Sequence, residues 1–162
     1  MMRFAGIFAL LGLLISSSAL AQQAREQVEL SRSIIQTERQ IIVASNMGLT
    51  EQEAEAFWPV FKDFQEALRK VSDRRANLIL ELAKEFNSLS GEKAQEMLKE
   101  SLNIQAERTK LKQNFIRKFN KVLPPKKVVR YFQIENKLDS VIDYELAGVI
   151  PLVRPDVAAP PQ

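Results

Sequence analysis

The sequence predicts an all-α protein of four helices in an elongated, hairpin-like arrangement. Apolar residues recur at spacings of three and four along most of the chain, which is the periodicity of an amphipathic helix. No stretch shows the sustained alternation of apolar and polar residues that marks a half-buried strand. Glycine and proline are few, and where they occur they divide the chain into four helical segments.

The N-terminus has the three parts of a secretory signal peptide. Arg3 supplies the positive charge, residues 4–15 form an almost entirely apolar run, and Ala19-Leu20-Ala21 gives the small–x–small cleavage pattern. The run is shorter than the roughly 20 residues that a transmembrane helix needs. We therefore expect residues 1–21 to be cleaved on export, to the periplasm if the source is a Gram-negative bacterium, with an uncleaved anchor as the alternative.

Composition favours a binding protein over an enzyme. The chain has no cysteine and no histidine, which excludes disulfides, thiol nucleophiles and imidazole ligands, and no glycine-rich phosphate loop is present. We expect no cofactor, no metal and, after export, no nucleic-acid partner despite the basic balance of the chain. Residues 22–149 are predicted to form one domain, and the proline-rich residues 150–162 an extended or disordered tail.

The first two helices have clear boundary signals. The first is predicted from Glu26 to Ser45, with Gly48 suited to a left-handed cap after it. In the second, Thr50 and Glu53 have the spacing of a capping box, and Pro59 predicts a kink or a restart near Trp58. The helix should end near residues 86–88. Its predicted seam contains Ala54, Phe57, Phe61, Phe64, Leu68, Val71, Leu78 and Leu82.

The third and fourth helices are predicted from Ser90 to Pro124 and from there to Gly148. The third has the seam Ala94, Met97, Ile104, Leu111, Phe115 and Val122, widened by Leu98, Leu102 and Phe119. The buried side of the fourth is predicted to contain Val128, Tyr131, Phe132, Ile134, Leu138, Val141, Ile142 and Leu146. In the tail, Ile150, Leu152 and Val153 are candidates for docking.

Helix length predicts an elongated molecule and a homodimer. The second helix would span about 45 Å beyond Pro59, whereas a compact domain of this size has a diameter of about 37 Å. Long helices would therefore leave apolar surface for a second chain or a ligand.

One short motif resembles the LTxxQ signature of the Spy/CpxP family of periplasmic proteins, in which a second copy opens a later helix. Leu49-Thr50-Glu51-Gln52-Glu53 opens the second helix, and Leu123-Pro124-Pro125-Lys126-Lys127 stands where a second copy would be. The first ends in Glu53 instead of glutamine, and the second lacks both threonine and glutamine. The resemblance implies an antiparallel, cradle-like dimer that acts as an ATP-independent chaperone, a stress adaptor or a metal-responsive sensor. The last role relies largely on histidine, which this chain lacks.

One segment of the chain is strongly basic. Between residues 108 and 134 lie nine basic residues and no acidic one, whereas the rest of the mature chain is net negative. This end predicts a surface for unfolded clients, a partner protein or anionic lipid, with a purely solvated turn as the alternative. The candidate binding residues are Phe115, Arg117, Lys118, Phe119, Lys121, Lys126, Lys127 and Arg130.

Other charged residues have two interpretations each. Arg75 and Arg108 interrupt apolar seams, so each either extends its stem to solvent or forms a cationic spot or a register-setting pair. Glu92, Glu96 and Glu100 share a helix face that is most simply solvated. The function classes that remain are a Spy/CpxP-like binding protein for unfolded or partner proteins and, as the alternative, an envelope protein that binds anionic lipid through its basic end.

Overall fold

The computed structural model describes residues 38–153 without a break, together with residues 19, 22–23, 25–27 and 30. Most of the predicted signal peptide, nine residues of the predicted first helix (28–29 and 31–37) and the tail beyond residue 153 lie outside the described residues. In the described part of the chain, no helix is both long enough and apolar enough to cross a bilayer.

The fold is all-helical, as predicted. Helix α1 covers residues 38–47, α2 runs over Glu51–Glu85, α3 over Gly91–Phe119 and α4 over Pro125–Val149. No strand occurs in the described ranges. The 35 residues of α2 make it about 52 Å long at 1.5 Å per residue, which agrees with the predicted elongation.

Several helix boundaries follow from local chemistry, as predicted, whereas α3 ends at Phe119, before the predicted stop at Pro124. Gly48 adopts the left-handed φ of 55° after α1, and Thr50 and Glu53 form both hydrogen bonds of a capping box. Ser90 caps α3 by accepting a hydrogen bond from the Lys93 backbone N–H at 3.2 Å. Pro125 takes the first position of α4, where its missing N–H costs nothing.

Helix α2 passes through Pro59 without interruption. Of the two outcomes predicted there, a restart is therefore excluded. Proline removes a single backbone donor, and Pro59 lies on the exposed side of the helix. The tertiary contacts of the neighbouring aromatic residues on the opposite side hold the helix together at this point.

The buried residues form two clusters of unequal size. The larger lies at the end where α1 meets α2 and α3 meets α4, and its rings pack around Tyr131. Phe57 packs edge to face on Tyr131 at 5.3 Å between centroids, and the ring of Phe119 lies at 4.6 Å, tilted by 53°. Its buried members are Val43, Met47, Phe57, Phe61, Phe64, Leu68, Phe115, Phe119, Leu123, Val128 and Tyr131. The smaller cluster, Ala76, Ile79 and Leu146, lies farther along α2 and α4.

The predicted seam of α2 is correct as far as Val71 and then shifts. Beyond Val71 the buried residues are Ala76, Ile79 and Ala83, whereas Leu78 and Leu82 are only half-buried. A strict seven-residue repeat assumes 3.5 residues per turn, whereas a straight α-helix has 3.6 residues per turn. In a straight helix, residues seven apart are therefore rotated about the helix axis by about 20° per repeat. The buried side of α2 therefore moves by one residue over its second half.

Three apolar residues predicted to face the core face solvent instead. Leu98 and Leu102 on α3 are 62 % and 56 % exposed, and Val141 on α4 is 61 % exposed. The prediction for these residues was wrong because the described helices cover only a narrow stripe of α3 and α4. In the tail, Ile150 packs against the smaller cluster, whereas Leu152 and Val153 are exposed.

Candidate functional site

Helix α4 presents three carboxylates on one side, each paired with a cation from another helix. Glu135, Asp139 and Asp143 follow one another at intervals of four residues and so lie along one face. Glu135 pairs with a cation of α1, Asp139 chiefly with two cations of α3, and Asp143 with a cation of α2. This acidic stripe thus connects α4 to every other helix.

The innermost pair joins Arg39 to Glu135. Arg39 is 4 % exposed, Glu135 is 0 % exposed, and the two side chains form a direct ion pair. Gln65 of α2 donates a second hydrogen bond to Glu135 at 3.0 Å and also contacts the Tyr131 hydroxyl at 3.2 Å. Burial raises the pKa of Glu135, and the neighbouring Asp139 charge acts in the same direction, although Arg39 opposes both.

The second carboxylate, Asp139, is shared by three cations. It accepts hydrogen bonds from Arg108 Nη2 at 2.6 Å and from Lys112 Nζ at 2.9 Å, and Arg39 Nη2 is a third, longer contact at 3.5 Å. We call Arg39, Arg108, Lys112, Glu135 and Asp139 the charged cluster. It contains three cations and two carboxylates. Within the described residues, the buried Nε atoms of Arg39 and Arg108 have no hydrogen-bond acceptor.

A groove of about 630 Å³ opens beside the charged cluster. Ligand sites typically have volumes of about 300 to 1,000 Å³, so the groove has the size of a small-molecule site. Its wall is mainly apolar, with charged side chains at intervals. The lining residues are Arg39, Gln40, Trp58, Phe61, Lys62, Gln65, Glu66, Leu68, Arg69, Ser72, Asp73, Arg75, Ala76, Ile79, Arg108, Asp139, Ile142 and Leu146.

The two arginines that interrupt apolar seams both form pairs with α4. Arg108 is 22 % exposed and bonds to the nearly buried Asp139, an arrangement that fits the paired interpretation. Arg75 pairs with Asp143, and both side chains remain partly exposed, at 34 % and 48 %. Exposed pairs contribute little to stability, so the Arg75 pair is much the weaker of the two.

The structure divides the nine basic residues between 108 and 130 into two groups. Arg108, Lys112 and Lys127 turn inward and pair with carboxylates of the fold. The other six are exposed, and we call them the outer cations: Lys110, Arg117, Lys118, Lys121, Lys126 and Arg130. Among them Arg130 also donates to the Asn46 carbonyl, and Lys118 lies 4.3 Å from the centre of the Phe115 ring.

The apolar residues at this basic end do not match those proposed from the sequence. Phe115 and Phe119 are 6 % and 0 % exposed and belong to the larger core cluster. The exposed apolar side chains among the outer cations are instead Ile116 and Val129, at 37 % and 59 %. The basic end therefore does combine apolar and cationic surface, through different residues.

The two motif segments lie against each other. Lys127, which follows Pro124-Pro125 at the start of α4, pairs with Glu53 and donates to the Gly48 carbonyl at 2.8 Å. The hydrogen bond from Lys127 and the backbone hydrogen bond at Thr50 lower the pKa of Glu53. Leu49 and Leu123 pack into the larger core cluster behind this contact. Glu53, which stands where the LTxxQ signature has glutamine, is thus the partner of a lysine in the second segment.

No group of three or more metal-ligating side chains occurs in the part of the chain that the structure describes. Comparisons of the chain with protein-family models, with curated proteins and with solved structures gave no match.

Sequence reasoning missed the charged cluster. A signal for it existed, because Glu135 and Asp139 fall within the apolar stripe of α4 in the same way that Arg108 falls within that of α3. Acidic residues on one buried face and basic residues on another predict a pair only when the two faces are known to meet. The partner of Glu135 is Arg39, which is 96 residues away in the chain.

Proposed function

We propose that this protein is an exported, non-enzymatic binding protein of the periplasm that resembles the Spy/CpxP proteins. It acts either as an ATP-independent chaperone for unfolded clients or as an adaptor in an envelope stress response. The observation that supports this proposal is the exposed basic end, where Ile116 and Val129 lie among the outer cations.

A mixed apolar and cationic surface suits weak, promiscuous binding. Exposed cations attract acidic segments of a chain at a distance, and exposed side chains such as Ile116 and Val129 offer a small apolar area after contact. A holdase must also release its client, so a shallow surface serves it better than a deep pocket. The aromatic core beneath, which includes Phe119 and Tyr131, keeps this surface rigid.

The second part of the proposal is an antiparallel, cradle-like homodimer. Helix α2 is about 52 Å long, and Leu98, Leu102, Val141 and Tyr144 remain exposed on α3 and α4. Apolar surface of this kind on long helices is commonly covered by another protein. A second copy of the chain would cover it and would lengthen the binding surface.

Suppression of client aggregation tests the binding function. The test variant replaces Arg117, Lys118, Lys121 and Lys126 by glutamine, which removes four outer cations that form no ion pair in the described residues. The control variant replaces Lys62, Lys84, Lys99 and Lys137, four exposed lysines that are not among the outer cations, and so removes the same charge. We expect the wild type and the control to suppress aggregation of a denatured client at near-stoichiometric amounts, and the test variant to require a several-fold excess.

The same variants, together with a vesicle-binding assay, distinguish client binding from the alternative function, binding to anionic lipid. Equal suppression by the test and control variants would contradict a role of the basic end in client binding. Salt-sensitive binding to anionic vesicles without any client protection would instead identify an envelope-surface protein that uses the same outer cations on lipid. Far-UV circular dichroism of each variant verifies that helicity is unchanged.

A further inference from the structure

The groove beside the charged cluster has a polar end at which, among the described residues, cations outnumber carboxylates. Three cations face two carboxylates there, so the cluster has an excess of one positive charge. Arg39, which is 96 % buried, has an Nε–H with no acceptor among the described residues, and so does Arg108. Buried donors without partners are costly, and both arginines line the groove.

The rest of the groove is elongated and mainly apolar, with charged side chains such as Arg75 at intervals. Leu68, Ala76 and Ile79 line it on α2, and Ile142 and Leu146 line it on α4. From Leu68 to Ile79 the helix rises about 16 Å at 1.5 Å per residue. A ligand that fits both ends therefore has an anionic head and one extended aliphatic chain.

We propose that the groove binds a single long-chain fatty acid, with its carboxylate at the guanidinium groups of Arg39 and Arg108 and its chain between α2 and α4. A carboxylate brings one negative charge, which balances the excess charge of the cluster, whereas a phosphate monoester would bring nearly two. The proposal is independent of client binding at the basic end, because the outer cations do not line the groove.

The fluorescence of Trp58 reports whether a ligand occupies the groove. Trp58 is the only tryptophan of the chain and it lines the groove, so a heavy-atom quencher on a bound acyl chain lowers its fluorescence. Titration of the full chain with dibromostearate should quench this emission with one saturable equivalent, and unlabelled stearate should restore it. Octadecanol has the same chain without the charge. It should bind at least about tenfold more weakly, because a hydrogen bond to a charged group contributes about 1.5 to 3 kcal/mol.

Two variants test the two ends of the groove separately. Arg108→Gln removes one guanidinium while Lys112 still pairs with Asp139, so stearate should lose most of its advantage over octadecanol. Ala76→Phe fills the apolar part and should weaken both ligands about tenfold or more, whereas Ala106→Phe, on the exposed side of α3, should weaken neither. The four-fold glutamine variant of the basic end should bind stearate like the wild type.

Several results would overturn the proposal. The first is quenching that does not saturate at one equivalent, and the second is equal affinity for stearate and octadecanol. Unchanged binding in Ala76→Phe would place the ligand elsewhere. Displacement of dibromostearate by an unfolded polypeptide but not by stearate would identify the groove as a peptide site instead.

Discussion

Removal of Arg39 is expected to destabilise the fold strongly, because it leaves a buried carboxylate without its cation. Arg39→Met leaves the Glu135 carboxylate buried at 0 % exposure, with the Gln65 amide at 3.0 Å and the Tyr131 hydroxyl as its remaining donors. Breaking a buried ion pair by removing one partner typically costs about 3 to 5 kcal/mol. Asp139 keeps Arg108 and Lys112, so only one carboxylate loses its cation, and we expect about 3 kcal/mol.

The cost should also depend on pH. Burial already raises the pKa of Glu135, so the folded protein binds this proton more tightly than the unfolded chain does. The stability contributed by Glu135 is therefore fully present below its unfolded value of 4.5 and is lost as the pH rises through the folded pKa. Arg39 limits that rise. Without Arg39 the folded pKa increases further, so Arg39→Met should be more destabilising at neutral pH than in acid.

A double-mutant cycle measures the coupling. Urea unfolding of Arg39→Met, Glu135→Gln and the double variant, followed by circular dichroism at neutral pH and at about pH 5, gives the free energies of unfolding. We expect the double variant to recover a large part of the loss in Arg39→Met, because the glutamine amide carries no charge. A cost below about 1 kcal/mol for Arg39→Met, typical of a surface pair, would refute the argument. Additive costs of the two single substitutions would do the same.

Other substitutions and one solution measurement test the fold. Thr50→Ala removes the capping box and should cost about 1 kcal/mol in thermal unfolding, whereas Thr50→Ser should not. Phe64→Ala should cost about 3 to 5 kcal/mol, because the ring is fully buried, and Ile41→Ala on the exposed side of α1 should change stability by less than about 0.5 kcal/mol. Lys127 lowers the pKa of Glu53 below its unfolded value of 4.5. The stability that the Glu53 carboxylate contributes is therefore fully present above pH 4.5 and is lost as the pH falls through the folded pKa. Glu53→Gln should remove this part of the acid dependence. Sedimentation at micromolar concentration should show a homodimer, and a compact monomer would contradict that prediction.

Local signals in the sequence were sufficient for most boundaries of the described helices, although α3 ends at Phe119 and not at the predicted Pro124. Thr50 with Glu53, Gly48 after α1 and Pro125 at the start of α4 each act through neighbouring residues, so their effect is readable from short segments of the chain. The seam of α2 was also readable as far as Val71. Beyond that point the prediction depended on whether the helix supercoils, which a short window does not determine.

The candidate site was less predictable, because its contacts join distant parts of the chain. The sequence shows a basic segment, but only the fold separates Lys127, which pairs with Glu53, from Lys121 and Lys126, which remain on the surface. Phe115 and Phe119 have the same spacing whether they face a core or a client. Tertiary packing decides that they are core, and it brings Arg39 to Glu135 across 96 residues.

The acidic stripe of α4 explains how such long apolar faces keep one arrangement. Apolar side chains alone tolerate a sliding of one helix along another, whereas an ion pair in the seam specifies a register. The pairing weakens along α4, because side-chain exposure rises from 0 % at Glu135 to 8 % at Asp139 and 48 % at Asp143. The firmly paired end adjoins the aromatic cluster, and the weakly paired end adjoins the small cluster of Ile79 and Leu146. Few buried contacts mean a low local stability. We therefore expect the apolar part of the groove to adjust its width to a ligand while the charged cluster and the basic end keep their geometry.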